Sequence, residues 1–275
     1  MSRVEPPVMS LSKHPVGSIM PPEEALLSVL AGLIVGSFLN VGIHRLPKDE
    51  SIIRPASRCP LCAVPIRWYD NIPLLSFVLL RGRCRGCRGR IGWRYPLVET
   101  LTGSLFFLTV FRFGIGVRSI FVLIFLCGLV VVAFIDLDHQ IIPHAVTLPG
   151  IPLGLVGSFI TRDPSPREAA AGALVGAGLV YLVAVYAEVA FQRESMGGGD
   201  VNLLAMIGAF LGWRQALLSF LIAVVTGACL SLMLIALRVL SRKDRIPFGP
   251  FLALGAVVAL FGGDGLIDWY WQLFR

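Results

Sequence analysis

The sequence predicts an all-α polytopic membrane protein of about eight transmembrane helices with a zinc-stapled cytoplasmic loop, and three observations carry that expectation. Of 275 residues, 56% are hydrophobic and only 15% charged, with a mean hydropathy of +0.78, whereas a soluble domain carries about 25% charged residues. Apolar windows of about twenty residues, enough to cross a ~30 Å hydrocarbon core as helix, recur along the chain. The long polar stretch that separates the first two of them holds two Cys-x-x-Cys pairs and a crowd of arginines.

Residues 1–24 are polar and contain prolines. The run 25–43 is the first transmembrane helix; it continues through Asn40 to Arg45 without a small-residue cleavage site and is expected to be retained. Residues 44–96 form the loop domain and 97–275 a multi-span core. Within the core the apolar windows are 97–113, 118–136, 143–161, 168–191, 197–213, 215–238 and 248–271, the sixth span overall (197–213) being the weakest. Of 24 Lys and Arg residues, those from Arg45 to Arg94 face only Asp49, Glu50 and Asp70, so the positive-inside rule places this loop in the cytoplasm. With that loop inside, Arg193, Arg238, Arg242, Lys243 and Arg245 also fall inside, for roughly a two-to-one bias of basic residues. Asp136 and Asp200 then both lie at cytoplasmic ends of spans.

Cys59-Pro60-Leu61-Cys62 and Cys84-Arg85-Gly86-Cys87 have the spacing of paired metal knuckles. Four thiolates close a tetrahedral shell with no open position, which suits a structural zinc ion. Disulfides or a redox dithiol are the rival reading, disfavoured in a reducing compartment. The basic residues of the loop suit anionic lipid headgroups; without interleaved aromatics they do not suggest nucleic-acid binding. Cys127 and Cys229 lie within apolar spans and read as buried small hydrophobes.

Met196-Gly197-Gly198-Gly199-Asp200 precedes an apolar run that ends near Trp213. That run is too short to span from Asp200 onward, so its helix is expected to start near Met196, with Asp200 a turn inside the membrane. A carboxylate there is costly and marks a functional site, while the glycines allow a kink or a close approach. The third span runs into Asp136-Leu137-Asp138-His139-Gln140-Ile141-Ile142-Pro143-His144. Asp136 and Asp138 stand ~200° apart around a helix, so only one can face a given partner. Asp136 is the deeper. His139 and His144 admit a metal site with these acids, or a solvated turn. Glu99 and Glu188 sit near headgroup level, where Glu99 could shape a cytoplasmic cleft. Asp264 and Asp268 belong to the opposite end of the last span.

Asp136 and Asp200 face to face would share one proton and act as a coupled acid and base, the chemistry of an aspartyl peptidase. A transporter using the same acids as a proton or cation relay is the alternative, although the two halves show no evident repeat. A scaffold without catalysis is a third.

Gly36-Ser37-Phe38-Leu39-Asn40-Val41 through Arg45-Leu46-Pro47, Asn71-Ile72-Pro73-Leu74-Leu75-Ser76, Arg81-Gly82-Arg83-Cys84, Arg94-Tyr95-Pro96-Leu97-Val98-Glu99, Gly197-Gly198-Gly199-Asp200 and Ile246-Pro247-Phe248-Gly249-Pro250-Phe251 occur in that order. Together with the Asp136 motif they resemble the bacterial type IV prepilin peptidases, aspartic peptidases of the GxGD type, over nearly the whole chain after about residue 25. The resemblance implies a multi-pass protein of the bacterial inner membrane with its active site facing the cytoplasm. It implies partners that are prepilins or type II secretion pseudopilins, cleaved after a glycine, and Asp136 and Asp200 as the catalytic pair. It also implies, in many members, N-methylation of the new terminus with S-adenosylmethionine; no local motif here marks a donor pocket. The chain departs from the family pattern at His144, where aspartate is common, at Gly198, where an aromatic is common, and at Asn202, where a lysine often stands.

Overall fold

The structure, a computed structural model, describes residues 20–54, 57–191, 197–239, 241 and 246–273. Residues 1–19 of the polar segment lie outside the described residues, as do Met196 and Arg193, Arg242, Lys243 and Arg245, which contributed to the orientation count. The described helices follow the apolar runs. They are α1 (Pro22–Arg45), α2 (Leu75–Leu79), α3 (Arg94–Phe113), α4 (Val117–His139), α5 (His144–Thr161), α6 (Pro166–Phe191), α7 (Gly198–Leu211), α8 (Trp213–Ala236) and α9 (Gly249–Gln272).

Local chemistry sets their ends. Pro22 opens α1 where no N–H partner is needed, Glu23 and Glu24 meet the positive end of its dipole, and His44 and Arg45 meet the negative end. Gly114 ends α3 and Gly212 separates α7 from α8, both with positive φ and with N–H groups closing the last turn onto Val110 and Gly208.

Among the described residues seven helices are long and apolar enough to cross a membrane, and α7, at 14 residues, is a shorter apolar helix. α7 begins at Gly198, with Gly197 as its cap, which agrees with the expected sixth span at 197–213 to within about two residues. α6 and α7 pack antiparallel through glycine, so closely that a Cβ on Gly208 would lie 2.0 Å from the Gly172 carbonyl oxygen, and one on Gly176 2.5 Å from that of Leu204. Continued along the helices, this register sets Asp200 opposite Val180. α6 runs on to Phe191, roughly 16 Å further at ~1.5 Å per residue. α7 is short because it starts recessed below the end of α6.

α4 carries much of the core, with Phe125, Leu126, Leu129, Val132 and Ile135 nearly inaccessible. It packs against α9, α3, α1 and α5, while α7 is sandwiched between α6 and α5. Leu174, Tyr181 and Leu182 of α6 and Leu221 and Leu232 of α8 are exposed apolar residues, the faces a bilayer would cover.

Between α1 and α3, the loop domain folds as two matching turns. Cys59 N–H donates to Val64 and Ala63 N–H to Cys59; Cys84 N–H donates to Gly89 and Arg88 N–H to Cys84. Ala63 and Arg88, each four residues after its first cysteine, both take positive φ.

Candidate active site and metal centre

Asp136 lies in the last turn of α4 and is 5% exposed. Its Oδ2 accepts the N–H of Gly249, the first residue of α9, at 2.8 Å. The Gly249-Pro250 pair, singled out by sequence only as part of a motif, now has a physical role. A Cβ at 249 would stand 2.7 Å from Asp136 Oδ2, so only glycine lets the helix N-terminus reach the carboxylate. Asp138 turns elsewhere: it forms an ion pair with Arg94 at the start of α3, which also donates to the Phe134 carbonyl at 3.1 Å.

Asp200 occupies the first turn of α7, where its N–H closes onto Gly197 at 3.1 Å. Its Oδ1 is buried and has no hydrogen-bond partner among the described residues. Phe125 of α4 and Phe210 of α7 stack with ring centroids 4.6 Å apart. From that contact α4 runs roughly 16 Å to Asp136 and α7 roughly 15 Å back to Asp200. The two carboxylates therefore lie at one level of the bundle, within electrostatic reach of each other. The GxGD glycines differ in surroundings. Gly199 presses on Ile142, where a Cβ would approach the Ile142 Cβ to 2.7 Å, whereas a Cβ on Gly198 meets nothing within 4 Å.

His144 and Asn202, two of the departures from the family pattern, touch: Asn202 Nδ2 lies 3.1 Å from His144 Nδ1. Among the described residues no metal-holding cluster includes His139 or His144. Asp264, at the far end of α9, accepts from Gln215 Nε2 at 2.7 Å and stays away from both other acids.

Cys59, Cys62, Cys84 and Cys87 converge, with their sulfurs all within 4.8 Å of one another and Cys59 Sγ to Cys87 Sγ at 3.9 Å. Tetrahedral Zn–S bonds of ~2.3 Å require sulfurs about 3.8 Å apart. None is in a disulfide. The Cys62 N–H beside the Cys59 sulfur brings that thiol down to about 7, toward the thiolate a metal needs. Against the downward pull of the Val64 N–H, burial and the crowded sulfurs push Cys62 up to about 11. Four like charges collect there only around a cation. Outside the shell, Arg85 grips Asp70 through contacts of 2.7, 2.9 and 3.1 Å, and these hold the Asp70 carboxyl below the usual carboxylate range.

A cavity of about 460 Å³ opens between this module and the ends of α1 and α3. Asn40, Asp70, Leu74, Phe77, Tyr95 and Glu99 are among its lining residues; neither Asp136 nor Asp200 is. Glu99 is 7% exposed and accepts the Leu74 N–H at 2.9 Å, which makes it part of a cleft wall rather than a headgroup-level charge. Sequence reasoning named Glu99 for that cleft but not the cavity, which needs three separate segments brought together.

Residues 30–113 match the bacterial peptidase A24 N-terminal domain, and residues 123–232 the type IV leader peptidase family. A prepilin leader peptidase/N-methyltransferase of Myxococcus xanthus is 46% identical over 77% of this chain and 63% of its own length. Proteins of the same description from Pseudomonas aeruginosa and Aeromonas hydrophila are 35% and 38% identical, covering 95% and 89% of this chain and 96% and 92% of theirs. The transporter reading finds no support in these relatives. No solved structure shows a significant match. On these matches, and with the two aspartates and the four-cysteine module in the places described, the chain belongs to the type IV leader peptidase family.

Proposed function

We propose that the protein is an intramembrane aspartyl endopeptidase that removes the basic leader of prepilins or pseudopilins after a glycine, at the cytoplasmic face of the bacterial inner membrane. The observation that carries this reading is the pair of carboxyl groups at one level of the bundle, one anchored and one with a buried oxygen that has no partner among the described residues. Asp136 Oδ2 already accepts the Gly249 N–H, which anchors that carboxyl group. The ionised member takes a proton from water as that water attacks the scissile carbonyl. The protonated member hydrogen-bonds the carbonyl oxygen and then protonates the leaving amine. Asp200 Oδ1, without a donor among the described residues, is suited to receive one from water or substrate. The open space at Gly198 leaves room for an extended backbone beside it.

The four cysteines fit a zinc ion in distance and in donor chemistry, and in this role they hold the cytoplasmic loop together. The cavity fits S-adenosylmethionine in size, since small-molecule pockets run about 300–1,000 Å³. Phe77 and Tyr95 offer aromatic faces for an adenine, and Glu99 and Asn40 offer polar groups for the cationic end. When bound, this cofactor supplies an electrophilic methyl group. The role of Glu99 is to place a negative charge in that cleft, fixed by the Leu74 N–H.

The test is cleavage of a synthetic prepilin by the purified protein in detergent. Wild type and Asp138→Asn should release the leader, while Asp136→Asn and Asp200→Asn should not. Cleavage by all three variants, or by none of the proteins including wild type, refutes the assignment. Mass spectrometry of the product with added S-adenosylmethionine checks methylation.

A further inference from the structure

We infer that the hydrogen bond between Asn202 and His144 is one half of a clasp that fixes the rotation of α7, and through it the position of Asp200 against Asp136. The inference rests on the aspartyl-pair reading above and assigns His144 and Asn202 as positioning residues for it.

The clasp is built on the four-residue strap that leaves the Asp136 turn. Gln140, in the left-handed conformation, donates its N–H to the Asp136 carbonyl at 2.9 Å, so the strap starts from the backbone of Asp136 itself. Its other end is set by Pro143, whose carbonyl accepts the N–H groups of Val146 at 3.1 Å and Thr147 at 3.3 Å as α5 begins. Between these fixed points Ile142 is seated on Gly199, and just past Pro143 the first residue of α5, His144, sets its Nδ1 beside Asn202 Nδ2.

Gly199 and Asn202 are three apart and share one helix face; Asp200 is turned ~130° from the middle of that face. Holding one face of α7 to the strap therefore dictates where Asp200 points. The hydrogen bond also needs specific atoms. The Asn202 amide and His144 Nδ1 must match as donor and acceptor, so ring tautomer and amide orientation are set together. Ile142 against Gly199 resists closer approach but does nothing against separation, whereas the His144–Asn202 bond resists separation. Together they fix the distance in both directions, and the strap transmits it to Asp136.

The experiment measures kcat and KM for synthetic prepilin cleavage with His144→Ala, Asn202→Ala, the double variant and His144→Asn. Asp200→Asn is the reference. A sub-ångström misplacement of a reacting group costs ~10- to 100-fold. Each single alanine should lower kcat by about that factor with KM within about twofold, and the double variant should be no worse than the singles. His144→Asn puts an amide oxygen where Nδ1 was and should recover kcat to within about threefold of wild type. The clasp is overturned if His144→Ala keeps wild-type kcat, if the two alanine effects multiply, if KM rises in place of a fall in kcat, or if His144→Asn does not recover. In each of those cases an inactive Asp200→Asn leaves the aspartyl pair standing. An active Asp200→Asn refutes the pair itself, and the clasp with it.

Discussion

Replacing Gly249 by alanine separates two physical accounts of the α9 N-terminus. Helix propensity alone favours alanine over glycine by ~0.8–1.0 kcal/mol, so an unconstrained site would gain stability. The geometry predicts the opposite. The new Cβ would stand 2.7 Å from Asp136 Oδ2, 3.2 Å from its Cγ and 3.3 Å from its Cβ, where ordinary contact begins at 3.4 Å. To relieve this, the carboxylate or the start of α9 must retreat by about 0.7 Å in a close-packed interior. The 2.8 Å Gly249 bond would then stretch out of hydrogen-bonding range, forfeiting ~1.5–3 kcal/mol for a bond to a charged acceptor. Displacement of a catalytic oxygen by that amount should cost ~10- to 100-fold in kcat. The assay is prepilin cleavage in detergent beside thermal unfolding, with Gly262→Ala in the same helix as the control, because nothing among the described residues lies within 4 Å of a Cβ there. Gly249→Ala should lose both turnover and Tm, and Gly262→Ala should lose neither. A Gly249→Ala protein with wild-type turnover would refute the anchoring role of this N–H.

Further outcomes follow from the same structure. Purified protein should carry one zinc per chain, and Cys59→Ser with Cys84→Ser should abolish it, as metal analysis would show; zinc retained by the double variant rules out the four-cysteine site. Because Arg85 holds the folded Asp70 carboxyl below its unfolded value of ~3.9, their contact stabilises the loop domain fully above that value. The stabilisation is lost as pH falls through the folded value. Asp70→Asn should therefore lower the loop's stability at neutral pH and converge with wild type in acid, followed by tryptophan fluorescence. The effect should be modest and should shrink in high salt, since the Arg85 side chain is 55% exposed. Gly172→Val should push α7 from α6, because a Cβ at 172 already meets the Gly208 carbonyl oxygen at 2.3 Å. Overpacking of this kind costs ~1–3 kcal/mol and should read as a Tm lower by several degrees.

The sequence by itself determined the helical membrane class, the eight apolar helices to within a few residues, and the four cysteines as one cluster. These depend on signals local to the chain: apolar runs of bilayer length, glycines and prolines at helix ends, and two-residue cysteine spacing. It also isolated Asp136 and Asp200 as acids too deep for solvation alone. What it left open was which partners Asp136 and Asp138 take, and how α7 sits against α6. Arg94 pairs with Asp138 and Gly249 donates to Asp136, so two acids on one helix turn face different partners distant in the chain. The glycine contacts with α6 set the register of α7, which no property of its own short run announces. The cavity beside Glu99 and the meeting of His144 with Asn202 were likewise beyond a sequence reading. Each joins segments whose separation in the chain carries no periodic signal, and only the packing of the helices decides which polar side chains share a space.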